Sequence, residues 1–251
     1  MTLQIDVFSD IICPWCYIGE QKLETALALF RAERPDVAVH LHWQPFELNP
    51  TMPPEGLDRK TYRSAKFGSW AKSQSLDAGV ARAGAEVGLT FDFEKSTRTP
   101  NTLDGHRLLW LALGAAEAAG LIAPQGPAVQ QDLARQLFRA YFTDGHNLND
   151  RAVLVQLAAA VGMPAADVAA FLAGNEGVAA VRSLESQAQQ MGVTSVPFLL
   201  FDRQYAVTGA QPVAVLLNLL QQLAGASEAP VSAAAAADCA DGTCAISANS
   251  L

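Results

Sequence analysis

Two cysteines separated by two residues lie near the start of the 251-residue chain, in the run Cys13-Pro14-Trp15-Cys16. Thiols at this spacing can form a local disulfide, exchange it with another disulfide, or supply two ligands to a metal. A second local pair, Cys239 and Cys244, lies close to the C-terminus. Because each pair closes only a short loop, a disulfide within it restricts the unfolded chain little. Redox chemistry or metal binding is therefore favoured over a structural staple.

The residues around the first cysteine pair predict a strand that runs into a helix. Apolar and polar residues alternate over 3–8, which is typical of a strand. Apolar residues at spacings of three to five then predict a helix that ends at Arg34-Pro35-Asp36. Cys13 therefore falls near the N-cap of this helix, and Pro14 falls in its first turn, where a missing N–H group is harmless.

A helix N-terminus presents free N–H groups and the positive end of the helix dipole, and both favour an anion. We therefore predict that Cys13 is the exposed thiolate nucleophile. Cys16 lies one turn further along and is predicted to be the shielded resolving thiol, which attacks a mixed disulfide and releases the product. Between them, Trp15 is predicted to be exposed and to contact substrate, whereas Tyr17 is predicted to pack inside.

The remaining segments predict the architecture that holds this junction. Residues 37–43 alternate and predict a second strand, so the chain opens β–α–β, an order that favours a parallel pair. Residues 50–177 have helical periodicity and no predicted strand, and residues 177–220 predict the order α–β–β–α. We therefore predict an α/β protein: a thioredoxin fold with a helical domain inserted after the second strand, plus a C-terminal tail. The expected parts are a thioredoxin-like domain in two pieces, 1–50 and 178–223, a helical insertion domain, 51–177, and an Ala-rich tail, 224–251.

A second element of the expected site is the dipeptide Val196-Pro197, at the start of a predicted strand. An X-Pro bond can be cis, and such a bond specifies a tight backbone geometry. Proline also leaves backbone groups unpaired at a sheet edge, where an extended substrate can pair with them. We expect Val196 and Pro197 to hold substrate backbone beside the thiol and to keep metals away.

Four motifs together resemble the DsbA-like thioredoxin superfamily: Asp10-x-x-Cys13-Pro14-Trp15-Cys16, Pro100-Asn101-Thr102-x-x-Gly105-His106, Ser195-Val196-Pro197-Phe198 and Gly209-Ala210-Gln211-Pro212. Within it the chain is similar to the FrnE branch, which is related to 2-hydroxychromene-2-carboxylate isomerases and kappa-class glutathione transferases. The resemblance covers roughly residues 1–225. It implies a thioredoxin domain with a helical insert, a cis Pro197, and a substrate site formed by Pro14, Trp15, Val196, Pro197, Asn101 and His106. His106 is at helical spacing, and the sequence leaves open whether it packs a helix or lines the cleft.

Composition limits the partners. The net charge is −8 and no run of Lys and Arg forms a basic stripe, so the chain is a poor candidate for nucleic-acid binding. No apolar stretch approaches the ~18 residues of a membrane helix. The N-terminus lacks the basic and apolar regions of a secretory signal, so we expect a cytoplasmic protein. His40 and His42 alternate on the second strand and are interpreted as its polar face rather than as a metal pair.

The predicted function is that of a thiol–disulfide oxidoreductase of the disulfide-isomerase type. Its expected partners are disulfide-containing protein substrates and a cellular thiol reductant, and it needs no dissociable cofactor. The glutathione-using relatives carry Ser where this chain has Cys13 and lack the second thiol, which favours dithiol redox chemistry here. Two alternatives stay open. One is a glutathione-dependent isomerase or transferase, and the other is a metal-binding or chaperone-like module in which the tail pair or histidines complete a zinc site.

The tail pair has three interpretations: a second redox centre, a metal clip, or an incidental feature of the tail. Asp241-Gly242 is a strong turn signal between the two cysteines. A turn would bring Cys239 and Cys244 to the Cα separation of ~5.5–6 Å that a disulfide prefers. We predict that they form a reversible disulfide that exchanges with the Cys13–Cys16 pair, and no metal site is predicted.

Overall fold

The computed structural model describes residues 2–114, 126–226 and the backbone of 243–245. It opens with strand β1 (Thr2–Ser9), helix α1 (Pro14–Glu33) and strand β2 (Ala38–Pro45). β1 and β2 run parallel, with Thr2 opposite Ala38 and Ser9 opposite Pro45. The predicted β–α–β opening is therefore confirmed, and it places the end of β1 and the start of α1 at one end of the sheet.

Helices dominate the chain between β2 and the next strand of the main sheet. The elements in order are β3 (Leu57–Asp58), α2 (Arg59–Phe67), α3 (Trp70–Ala85), β4 (Arg98–Thr99), α4 (Leu103–Ala112), α5 (Pro127–Phe142), α6 (Arg151–Ala160), α7 (Ala165–Ala173) and α8 (Val178–Gln190). The prediction that this stretch contains no strand is wrong, because β3 and β4 form a two-residue antiparallel pair. A pair this short shows no period-two alternation, so the sequence pattern could not reveal it.

The chain then returns to the main sheet with β5 (Phe198–Phe201), β6 (Tyr205–Thr208), α9 (Val213–Ala226) and β7 (Thr243–Ala245). The sheet order is β2-β1-β5-β6-β7, and β5 pairs antiparallel with β1. Residues 224–226 continue α9, and β7 adds a strand antiparallel to β6, so parts of the segment predicted as a tail have regular structure. The division into domains stays a prediction. Cys244 lies in β7, opposite Ala206, whereas Cys239 lies outside the described residues.

The core forms where α1 and α9 pack together and where helices of the inserted segment meet β2. From α1 it takes fully buried apolar side chains, among them Ile18, Ala26, Leu27 and Phe30. Every side chain of β5 is buried, as the continuous apolar run of this short strand suggests. Burial on this scale holds the sheet and the helices in one arrangement.

The amide side chain of Gln130, on α5, fixes the inserted segment to the edge of the sheet. It accepts a hydrogen bond from the Trp43 N–H (2.8 Å) and donates one to the Trp43 carbonyl (3.0 Å). Gln130 therefore pairs with the edge strand β2 as a neighbouring strand would. The neighbouring Gln131 accepts from the Trp43 indole N–H at 2.6 Å. These bonds satisfy buried polar groups at the junction and set the position of the helices against the sheet.

Candidate active site

The first cysteine pair lies at the junction of β1 and α1. Cys13 is the N-cap of α1, with extended backbone geometry, and Pro14 begins the helix. The Cys13 carbonyl accepts hydrogen bonds from the N–H groups of Cys16 (3.0 Å) and Tyr17 (3.3 Å), and the Cys13 N–H donates to the Asp10 carbonyl (2.9 Å). The predicted position of Cys13 is thus confirmed. Cys13 therefore lies at the end of α1 that carries the positive end of the helix dipole.

The two thiols form a close pair. Cys13 and Cys16 are free cysteines that come within 3.2 Å of each other. Cys16 is only 2% exposed, and this burial raises the pKa of its thiol well above the ordinary value of 9.0. The neighbouring Cys13 raises that pKa further, while the Ser9 hydroxyl and the Asp10 backbone oppose the shift. Cys16 is therefore a shielded thiol, protonated at neutral pH, as expected of a resolving cysteine.

Cys13 was predicted to be exposed, and the structure corrects this, since only 5% of its surface is accessible. The cause is the loop before β5. The Val196–Pro197 peptide bond is cis, as predicted, and the Cys13 thiol donates to the Val196 carbonyl at an Sγ–O distance of 3.8 Å. Trp15 stands next to Cys13 and is 46% exposed, in agreement with its predicted exposure.

Gly19 is a site residue that the sequence interpretation missed. A Cβ atom on Gly19 would lie 3.2 Å from Cγ of Pro197, so the absence of a side chain lets α1 approach the cis-proline loop closely. A glycine inside a helix costs about 0.5–1 kcal/mol relative to alanine, and this cost was the available signal that its position serves packing. Tyr17 packs in the core as predicted, stacked on Phe138 with 5.2 Å between ring centroids.

We predicted that Asn101 contacts substrate. In the structure, the oxygen and the nitrogen of its side-chain amide both form hydrogen bonds with other residues of the protein. Its Oδ1 accepts from the Leu103 N–H at 2.9 Å and so caps the start of α4. Its Nδ2 donates to the Met52 carbonyl at 2.7 Å. Asn101 therefore ties the start of α4 to the chain that follows β2, and a substrate contact by this residue stays a prediction.

His106, on α4, lies inside the protein beside Asp10. It is 2% exposed, and its Nε2 lies 3.7 Å from Oδ1 of Asp10, which is fully buried. Burial by itself lowers the pKa of His106, but contact with Asp10 and the charges of Glu47 and Glu185 outweigh it and raise the pKa. This burial argues against the predicted substrate contact. Glu47 and Glu185 were not singled out, because no local pattern connects residues so far apart in sequence.

Within residues 2–114 and 126–226, no three His, Cys, Asp or Glu side chains are grouped as a metal site. Over the part of the chain that the structure describes, no helix is both long and apolar enough to span a bilayer. The predicted disulfide between Cys239 and Cys244 falls partly outside this part and stays a prediction.

A family model described as a DSBA-like thioredoxin domain matches residues 4–221. Among solved structures, a protein described as a probable DsbA oxidoreductase from Streptomyces coelicolor is 32% identical to this chain. The match covers 98% of this chain and 99% of that one, with a TM-score of 0.76.

Two more distant structures share the fold. A 2-hydroxychromene-2-carboxylate isomerase is 13% identical, with a TM-score of 0.63 over 90% of this chain and 100% of that one. The cytosolic disulfide reductase DsbM from Pseudomonas aeruginosa, solved with GSH, is 18% identical, with a TM-score of 0.55 over 88% and 99% of the two chains. The fold therefore occurs in proteins described as reductases and as isomerases, so it does not by itself select the reaction.

We predict that Cys16 resists alkylation at neutral pH. Because burial and Cys13 raise its pKa well above 9.0, less than about one per cent of the thiol is thiolate at pH 7. Iodoacetamide should therefore label Cys13 of the reduced protein first, as read by tandem mass spectrometry that separates the two positions. In the Cys13→Ser variant, Cys16 should remain largely unlabelled until the protein is denatured. Rapid labelling of Cys16 in that folded variant would contradict the described burial.

Proposed function

This chain belongs to the DSBA-like thioredoxin domain family, and we propose that it is a thiol–disulfide oxidoreductase acting through Cys13 and Cys16. The observation that carries the proposal is a pair of free thiols 3.2 Å apart at a helix N-terminus, beside the cis Val196–Pro197 bond. A thiol at a helix N-terminus is favoured as a thiolate, and a second thiol within reach can close an intramolecular disulfide.

The proposed reaction has two exchanges. The Cys13 thiolate attacks a substrate disulfide RS–SR′, forms a Cys13–S–S–R mixed disulfide and releases R′S⁻. Cys16 then loses its proton and attacks the Cys13 sulfur, which forms the Cys13–Cys16 disulfide and releases RS⁻. The substrate gains two electrons and the dithiol loses two. A cellular thiol reductant returns the enzyme to the dithiol form by the reverse exchanges, and no dissociable cofactor takes part.

We assign the reaction to the disulfide-isomerase type acting on protein substrates. In isomerisation, a second thiol of the substrate attacks the Cys13 mixed disulfide before Cys16 does, so the substrate leaves with a rearranged disulfide and no net electron transfer. Two large apolar side chains, Trp15 at 46% and Leu48 at 37% exposure, flank the loop that carries Cys13. Exposed apolar surface of this kind suits the apolar segments of incompletely folded chains. The cytosolic DsbM structure is consistent with the cytoplasmic location that we propose.

A glutathione-dependent isomerase could have the same fold, but its reaction would need a different set of active-site thiols. A glutathione-dependent transfer needs a single group to activate the glutathione thiol, so Cys16 would be dispensable. The close contact of Cys16 with Cys13 and its burial give the second thiol a position suited to resolution. This favours dithiol chemistry.

We further propose that the tail pair serves as an auxiliary redox centre. The strand order places β7 three strands from β1, which at the usual spacing is ~14 Å across the sheet. Cys13 lies beyond the end of β1, so Cys244 is out of direct reach while β7 pairs with β6. Exchange with Cys13 therefore requires that β7 leave β6, or that a neighbouring molecule supply the tail.

We predict that Cys13→Ser abolishes reduction of insulin disulfides, because the attacking thiolate is lost. Cys16→Ser should instead accumulate mixed disulfides with substrate, since the first exchange proceeds and the second cannot. Non-reducing gels and mass spectrometry read both outcomes. A Cys13→Ser protein that reduces insulin at the rate of the unaltered protein would refute the function. A Cys16→Ser protein with unchanged turnover on a glutathione-dependent substrate would favour the isomerase or transferase alternative.

We predict that the Cys13–Cys16 couple is less oxidising than that of DsbA, whose potential is about −120 mV. DsbA-type relatives commonly have a His between the cysteines, whose positive charge stabilises the thiolate. The dipeptide Pro14-Trp15 offers no such charge, so the reduced form is less favoured here. Equilibration with glutathione redox buffers gives the potential, and Trp15→His should raise it. A potential as high as that of DsbA, or no response to Trp15→His, would show that the helix terminus alone is sufficient.

We predict that replacing both tail cysteines by Ser weakens disulfide reshuffling and increases dependence on external reductant. A flexible tether gives an effective concentration in the millimolar range when it can reach. The Cys239→Ser/Cys244→Ser variant retains the β7 segment, whereas a protein truncated after Ala226 keeps α9 and lacks β7. Comparing the two separates thiol chemistry from strand pairing. If the double variant matches the unaltered protein in both assays, the tail pair has no redox role. Metal bound by the reduced protein and lost in the double variant would indicate chelation instead.

A further inference from the structure

Three buried polar atoms, at the end of β1, after β2 and on α4, have no hydrogen-bond partner among the residues that the structure describes. They are Oγ of Ser9, Oε1 of Glu47 and Nε2 of His106. Buried polar groups are nearly always paired, because an unpaired one costs about 1–3 kcal/mol, so a group of such atoms beside a reactive site calls for an explanation. Of the three, His106 is the one that contacts a buried charge directly.

That charge belongs to Asp10, which holds the loop carrying Cys13. Its Oδ1 accepts from the Ile12 N–H at 3.3 Å, and its Oδ2 accepts from the Leu48 N–H at 2.7 Å. Its backbone carbonyl accepts from the Cys13 N–H at 2.9 Å. Asp10 thus joins the loop before α1 to the chain after β2. A fully buried carboxylate is costly unless an opposite charge compensates it.

His106 brings the compensating group from α4. Its Nε2 lies 3.7 Å from Oδ1 of Asp10, and both side chains are excluded from solvent. On the same helix, Arg107 bonds elsewhere, to Asp104 and to the carbonyls of Phe171, Gly174 and Glu176. Within the described residues, His106 is therefore the basic side chain that the structure pairs with Asp10.

Other charged groups act on His106 from the elements around it. Glu47, after β2, and Glu185, on α8, both raise the pKa of His106, as Asp10 does. Arg182, also on α8, forms ion pairs with Glu47 and with Glu185. Tyr141, on α5, is buried near Asp10, and burial raises the pKa of its hydroxyl to about 12, so it stays neutral. The net effect is a negative surrounding that favours the imidazolium form.

We propose that His106 is a positioning residue that acts through Asp10 to hold the Cys13 loop where Cys16 can resolve a mixed disulfide. The expected effect on turnover rests on the function proposed above, whereas the contact between His106 and Asp10 does not depend on that function. The proposal also accounts for the buried histidine of the inserted segment, which substrate cannot reach. His106 touches neither thiol in this role; its effect is transmitted by the Asp10 carboxylate and the N–H group of Ile12.

The pH dependence follows from the direction of the shift. Since the pKa of His106 is raised, its positive charge is fully present below the ordinary histidine pKa of 6.5 and is lost as pH rises through the raised value. Positioning by an imidazolium should therefore fade at alkaline pH. A role in packing alone would not change with pH in this way.

The test measures the resolving step directly. Reduced protein carrying Cys239→Ser and Cys244→Ser reacts with a chromogenic aryl disulfide, Cys13 releases the first coloured thiolate, and attack by Cys16 releases the second in a unimolecular step. We expect His106→Gln to slow this second release about tenfold below neutral pH, as a small misplacement of reacting groups can. The ratio of the two proteins' rates should fall toward one as pH rises through the raised pKa of His106, because the unaltered protein then loses its charge as well.

Two comparisons complete the test. His146→Gln, at an exposed histidine, should leave the second release unchanged at every pH. In an Asp10→Asn background, His106→Gln should have no further effect, because the two side chains act as a unit. A rate ratio that is constant with pH, additive effects of the two substitutions, or an unaltered rate in His106→Gln would each overturn the proposal.

A measurement on the unsubstituted site remains decisive if His106→Gln fails to fold. The ring signals of His106, followed by NMR, should titrate above pH 6.5, together with an inflection in the rate of the second release. An imidazole that is neutral throughout this range overturns the proposal. Insulin reduction is assayed in parallel. If the unaltered protein fails to reduce insulin while the rate ratio still depends on pH, the proposed function alone is refuted. If it reduces insulin but the rate ratio does not depend on pH, the positioning role alone is refuted.

Discussion

Antiparallel pairing between β1 and β5 is the constraint on which the site depends. Phe8, near the end of β1, lies opposite Phe198, the first residue of β5. This register places the end of one strand, which runs into Cys13, beside the start of the other, which follows the cis Val196–Pro197 bond. Slippage by one residue would exchange the buried side chains of β5 between the two faces of the sheet, where Leu199 and Phe201 pack in one cluster and Phe198 and Leu200 in another. Core packing therefore fixes the register, and the register fixes the site.

The inserted helical segment supports the site from behind rather than enclosing it. Gln130 seals the edge of β2, and Asn101 ties the start of α4 to the chain that follows β2. α4 then carries His106 to within 3.7 Å of Asp10. The two thiols therefore lie at a strand–helix junction that buried side chains of the inserted segment support.

The same architecture is compatible with more than one chemistry, as its similarity to a 2-hydroxychromene-2-carboxylate isomerase shows. The residues that distinguish the reactions are few. In the function proposed here, Cys16 supplies the second thiol of an internal disulfide, and its burial raises the pKa of that thiol and so keeps it protonated at neutral pH.

The sequence by itself located the Cys13–Cys16 pair at a strand–helix junction and determined the order of the main elements. The strand, Cys13-Pro14-Trp15-Cys16 and helix pattern is local, so periodicity and capping rules were enough to place Cys13 at the helix N-terminus. The cis Val196–Pro197 bond followed from the family resemblance and is present. The short β3–β4 pair escaped notice because two residues show no alternation.

Only the tertiary structure decided how accessible and how charged the site is. Cys13 proved buried because a loop 183 positions further along the chain covers it. The group formed by Asp10, Glu47, His106 and Glu185 arises from four segments that meet only in the folded chain. Exposure and electrostatic environment depend on contacts between residues distant in sequence, and those contacts are set by strand register and helix packing, which no local pattern encodes.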